Sequence, residues 1–93
     1  MFKTNEYFDG KVKSMSFTSP EGPATLGLMA AGEYEFGTST VEFMTVVSGE
    51  MTVLLPGETE WKLFRPFETF VVPSNSRFKL KISSDTGYLC LYK

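Results

Sequence analysis

The chain has no histidine. The commonest acid/base near neutral pH and the commonest metal ligand are therefore both missing. It has one cysteine, Cys90, which excludes a disulfide within the chain and a zinc site of the usual Cys/His kind. A single thiol suits a reducing compartment. No apolar run reaches the roughly 18 residues of a membrane span. The start, Met1-Phe2-Lys3-Thr4-Asn5-Glu6, shows no apolar segment of a secretory leader. Charge of one sign is also scarce: nine Lys and Arg face eleven Asp and Glu, interspersed, for a net charge of −2. Without a basic stripe there is no field for non-specific nucleic-acid binding. The expectation is a cytoplasmic protein with no nucleic acid and no membrane as partner.

What is abundant is aromatic. Nine Phe, four Tyr and one Trp in 93 residues supply large apolar area. A chain of this length makes one domain, expected over 1–93, and buries only about 60–65% of its unfolded surface. Its core is thin, and a homodimer is the expected way to bury more.

Turn residues recur every several positions: Asp9-Gly10, Ser19-Pro20-Glu21-Gly22-Pro23, Ala31-Gly32, Ser48-Gly49, Pro56-Gly57, Arg65-Pro66, Pro73-Ser74-Asn75 and Ser83-Ser84-Asp85-Thr86-Gly87. The segments between them are rich in Val, Phe, Tyr, Thr and Leu, and none sustains a helical period. The spacing predicts strands at Val12–Thr18, Ala24–Met29, Gly32–Phe36, Glu42–Ser48, Met51–Leu55, Glu60–Phe64, Thr69–Val72, Arg77–Ile82 and Tyr88–Tyr92. Asn5-Glu6-Tyr7-Phe8 is given one helical turn at most. Many short strands imply an all-β sandwich or barrel. In the eighth segment Phe78, Leu80 and Ile82 share one face and Arg77, Lys79 and Lys81 the other, the pattern of a half-buried strand.

Glu42 and Gly49 stand in a Glu-x6-Gly spacing, and Gly32 precedes them. This resembles the first conserved block of the cupins, a jelly-roll-like β-barrel. Val72-Pro73-Ser74-Asn75-Ser76-Arg77-Phe78 resembles the second block, with Asn75 where the family has Gly; Asn tolerates positive φ. The resemblance puts Thr38, Thr40 and Phe78 at the family's three His positions, and only Glu42 keeps a ligand type. One carboxylate, two hydroxyls and a phenyl ring make a poor transition-metal site. No metal and no other cofactor are expected.

Asn5-Glu6-Tyr7-Phe8, Gly10-Lys11-Val12-Lys13-Ser14, Gly32-Glu33-Tyr34-x-Phe36, Glu42-x-Met44-Thr45-Val46-Val47-Ser48-Gly49, Val53-Leu54-Leu55-Pro56, Trp61, Phe70-Val71-Val72-Pro73 and Tyr88-Leu89-Cys90-x-Tyr92 follow in order over nearly the whole chain. Together they resemble the small cupin family of pyrimidine/purine nucleoside phosphorylases. The resemblance implies metal-independent phosphorolysis, with nucleosides and inorganic phosphate as substrates and a free base and ribose 1-phosphate as products.

That chemistry requires donors for phosphate, acceptors for ribose hydroxyls and a platform for the base. Oriented electrostatic groups and positioning supply it without His. In the cupin register Glu42 points inward and accepts ribose hydroxyls while favouring positive charge at the anomeric carbon; otherwise it is a hydrated or paired rim glutamate. Thr38 and Thr40, with Ser39 between them, offer hydroxyls to phosphate or ribose, or form an ordinary polar loop. Arg77 and Arg65 are the only arginines, and a guanidinium fork suits phosphate. Either one is equally at home on a solvated face. Lys11 and Lys13 share a strand face and offer a further anion site or an edge defence. Tyr34, Phe36, Phe70, Phe78, Tyr88 and Tyr92 are core aromatics from which Tyr34 and Phe78 are candidates to stack on a base. Cys90 is read as core packing. The alternative is a cupin-like module that binds a sugar or nucleotide without turning it over.

Overall fold

The strands fall into two antiparallel sheets that face each other across one apolar cluster. The computed structural model describes residues 2–93, and no helix occurs among them. Ten strands follow in order: β1 Lys3–Tyr7, β2 Val12–Ser19, β3 Gly22–Met29, β4 Gly32–Gly37, β5 Glu42–Ser48, β6 Met51–Leu54, β7 Lys62–Phe64, β8 Thr69–Val72, β9 Arg77–Ile82 and β10 Thr86–Tyr92. The six-stranded sheet runs β1-β2-β3-β10-β5-β8, and the four-stranded sheet runs β4-β9-β6-β7. The all-β expectation holds. Among the described residues the sheets do not close on one another through strand pairing.

Alternation decides what faces inward. On β9, Phe78, Leu80 and Ile82 are buried while Arg77, Lys79 and Lys81 are exposed. Val12, Met29, Met44, Val46, Val53 and Val72 join them in the core. Turns are made as their residues require. Gly57 has φ of +76° behind Pro56, and Glu58 N–H donates to the Leu55 carbonyl at 3.1 Å, the arrangement of a type II turn. Asn75 takes φ of +54°, the left-handed conformation that Asn supports.

Nine expected strands occur, with shifted ends. Glu60 and Trp61 lie ahead of β7 rather than within it, and β10 begins two residues early at Thr86. The expected helical turn at Asn5-Glu6-Tyr7-Phe8 is corrected: Asn5, Glu6 and Tyr7 belong to β1, which pairs along its whole length with β2. Asn5 lies opposite Ser14, and its side-chain amide donates to Ser14 Oγ at 3.3 Å and to Ser16 Oγ at 2.9 Å. The strand is held by polar cross-strand partners, so it lacks the apolar alternation that marks the others.

Candidate functional site

Cross-strand register stacks the inward residues of the large sheet into rows. One row runs Lys3, Ser16, Thr25, Cys90, Met44 and Phe70 across β1, β2, β3, β10, β5 and β8. In the neighbouring row Tyr92 is opposite Glu42, and Glu42 is opposite Val72. Glu42 is therefore the first inward side chain of β5, at the open end of the core. Its Oε1 lies 3.6 Å from Cys90 Sγ. A cleft of about 220 Å³ opens there, and Tyr7, Phe36, Phe78, Tyr88 and Tyr92 wall it around Glu42. Phe36 stacks on Phe78 with ring centroids 5.9 Å apart, and Tyr7 meets Phe36 edge-on at 6.3 Å.

This environment acts on Glu42, Cys90, Tyr88 and Tyr92. Burial raises the Glu42 carboxyl above its ordinary value, and the Cys90 thiol, donating to it, pulls the other way. Burial and then the Glu42 charge push Cys90 up to about 12, so it is a thiol and not a thiolate at neutral pH. Burial also raises Tyr88 to about 12 and holds Tyr92 above the usual tyrosine range. Both phenols keep their protons and remain donors. Glu42 takes part in none of the ion pairs among the described residues.

Of the residues expected from the sequence, the structure brings Glu42 and Phe78 together in the cleft. The others lie elsewhere. Thr38 Oγ1 donates to the Pro73 carbonyl at 2.6 Å and accepts from Ser76 N–H at 3.0 Å, so it braces the β4–β5 loop against the β8–β9 turn. Thr40 is exposed in that loop. Tyr34 is buried, and its hydroxyl donates to the Ala30 carbonyl at 2.6 Å. Arg77 is on the outer face of the small sheet, opposite Gly37, with Nε 2.8 Å from a Glu35 carboxylate oxygen. Arg65, in the β7–β8 turn, lies 3.9 Å from Glu50. Lys13 pairs with Glu6 at 3.2 Å on the outer face of the large sheet. Tyr7 was not visible as a site residue. Its signal is the alternation of Lys3, Asn5 and Tyr7 on β1, which reads as a strand only once the partner β2 is known.

Metal is not supported by this donor set. Among the described residues no three His, Cys, Asp or Glu side chains gather. Glu42 has beside it a thiol and the phenols of Tyr88 and Tyr92, all of which keep their protons.

Two facing antiparallel sheets define a cupin fold, here with a carboxylate and aromatics at the open end of the core. Solved structures agree: a cupin from Shewanella frigidimarina superposes with a TM-score of 0.72 over 96% of this chain and 80% of its own, at 18% identity. The chain belongs to the pyrimidine/purine nucleoside phosphorylase family, whose model matches residues 2–92. Relatives bearing that name include one from Pseudomonas paraeruginosa, 59% identical over all of both chains, and one from Pseudomonas fluorescens, 60% identical over 100% of this chain and 99% of its own. A Vibrio parahaemolyticus protein whose function is given as unknown has the same fold, with a TM-score of 0.94 and 42% identity over 97% of this chain and 96% of its own.

Proposed function

We propose that this chain is a nucleoside phosphorylase that transfers the pentosyl group of purine and pyrimidine nucleosides to phosphate. The observation that carries the reading is Glu42, a carboxylate at the floor of an aromatic cleft, in a chain 59% identical along its length to relatives named for this activity. The bond from C1′ to the base nitrogen breaks, and its electron pair leaves with the base. A phosphate oxygen forms the new bond to C1′. Between the two, positive charge builds on the ribose ring. The Glu42 carboxylate accepts the ribose hydroxyls and stabilises that charge, more strongly in a half-buried cleft than in water. The aromatic wall offers a face to any base, which suits a broad substrate range. The protonated phenol of Tyr88 is a donor available to the departing base. No step requires a metal.

The reading extends to setting and assembly. We place the protein in the cytoplasm, where a buried free thiol stays reduced. We also propose a homodimer formed through the outer face of the large sheet. Met15, Leu26, Leu28 and Val47 are exposed there around an apolar groove of about 770 Å³. A second copy brings the same apolar ridge, and a two-fold axis lets each cover the other.

The test is release of free base from uridine and adenosine, with and without phosphate, in excess chelator. Release that needs phosphate and survives the chelator is the expected result. A folded protein that releases no base is a cupin-like binding module instead.

A further inference from the structure

The Glu42 cleft is incomplete for phosphorolysis. Its volume, about 220 Å³, is below the roughly 300–1,000 Å³ of pockets that enclose a drug-sized ligand. None of the described residues lining it is cationic, and its one charged group repels phosphate. Both arginines are paired with carboxylates, and neither lines it. The acceptor anion needs a different seat, close to the cleft but away from Glu42.

A second recess, of about 570 Å³, meets the cleft at Tyr7 and Tyr92, which line both. Its chemistry is the opposite of the cleft's. Lys3, Ser16 and Thr25 line it, in register along one row of the sheet, and no carboxylate is among its described lining residues. Lys3 takes part in none of the ion pairs among the described residues. Ser16 Oγ accepts from Asn5, so its own proton is free to donate outward. The hydroxyls of Thr25 and Tyr92 lie 3.0 Å apart. Two hydroxyls bring two protons and share one bond, which leaves one proton to give. An ammonium and hydroxyl donors line one recess that has no carboxylate among its described lining residues.

We infer that this recess is the anion subsite, with Lys3 as its cation, and that it seats inorganic phosphate beside a nucleoside held at Glu42. The inference rests on the phosphorylase reading for the role of the anion, but not for its binding. With phosphate in the recess and the sugar in the cleft, nucleophile and anomeric carbon meet where the two join, beside Tyr7 and Tyr92. The carboxylate and the phosphate stay on separate sides.

The experiment uses Lys3→Met and Lys3→Arg in the full chain, both at an exposed position where folding is not at stake. Phosphate KM, uridine KM and the thermal stabilisation given by inorganic phosphate alone are measured for each. A charge-assisted contact predicts that Lys3→Met raises phosphate KM at least about tenfold. Uridine KM stays near the wild-type value, the phosphate-induced shift in melting temperature is lost, and Lys3→Arg restores both. An active wild type with unchanged phosphate KM and thermal shift in Lys3→Met overturns the subsite and spares the phosphorylase reading. A wild type that releases no base, yet shows a Lys3-dependent phosphate shift, keeps the subsite and overturns that reading. No phosphate shift and no turnover in the wild type overturns both.

Discussion

The thiol of Cys90 donates to the Glu42 carboxylate across 3.6 Å, from the strand paired beside it. Burial raises the Glu42 carboxyl, and this hydrogen bond is what opposes the rise. The active form in the proposed reaction is the carboxylate, so kcat/KM falls as pH drops through the raised value. The acid limb of the pH–rate profile is expected above the ordinary carboxylate range. Cys90→Ala removes the donor and moves that limb to still higher pH; Cys90→Ser keeps a donor and holds it near the wild-type position. A limb that does not move in Cys90→Ala means the thiol does not tune Glu42.

Glu42→Gln separates function from stability. The expected loss of kcat/KM is at least about tenfold, roughly 1.4 kcal/mol of transition-state stabilisation. Stability moves the other way. A carboxyl whose folded value lies above its unfolded value binds more protons when folded, so its contribution to stability declines as pH rises between the two values. The neutral amide has no such loss. Glu42→Gln is therefore expected to melt no lower than wild type at pH 7, and its advantage to vanish in acid. Full activity in the folded variant removes Glu42 from the mechanism.

Much of this was legible in the sequence. Nine strands announce themselves because Val, Phe and Tyr cluster between residues that turn the chain. Alternation alone placed Phe78 inward and Arg77 on the opposite face, as the structure has them. Glu42 was legible through its spacing to Gly49. β1 was not, because its inward residues Lys3 and Asn5 are polar and meet hydroxyls rather than a core. A strand with a polar inner face looks like a loop until its partner is known. The partnership of Arg77 with Glu35 was hidden for the same reason: it depends on the register between β4 and β9, which no single strand carries.

That partnership makes a prediction about phosphate. Arg77 and Glu35 are both largely exposed, at 67% and 44% of their side-chain area. Arg77→Ala is expected to leave phosphate KM within about twofold of wild type, because the guanidinium is paired with Glu35 and lines neither recess, and an exposed pair of this kind contributes little to stability. A tenfold rise would mean that the guanidinium leaves Glu35 and reaches the substrate.

Thr38 is predicted to matter for stability. Its hydroxyl donates to the Pro73 carbonyl and accepts from Ser76 N–H in a buried position. Thr38→Val keeps the shape and leaves both groups without their partner, at an expected cost of about 1–3 kcal/mol. Chemical denaturation reads the loss directly. Phe78→Ala, a deletion beneath Phe36 and Phe70, is expected to cost about 3–5 kcal/mol in the same assay.

The outer face of the large sheet gives the last prediction. Met15 is opposite Leu26, and Leu26 is opposite Leu89, so apolar side chains run across three strands. Leu28 is the most exposed of them, at 65%. Scattered apolar residues need no explanation, but a continuous ridge on one sheet face is the mark of an interaction surface. In a two-fold dimer the residue near the axis meets its own copy, so one charge placed there becomes two facing charges. Leu26→Glu is therefore expected to give a monomer in sedimentation analysis, with the circular dichroism of a folded β protein. A wild type that already sediments as a monomer removes the dimer. A Leu26→Glu variant that remains dimeric moves the interface to another face.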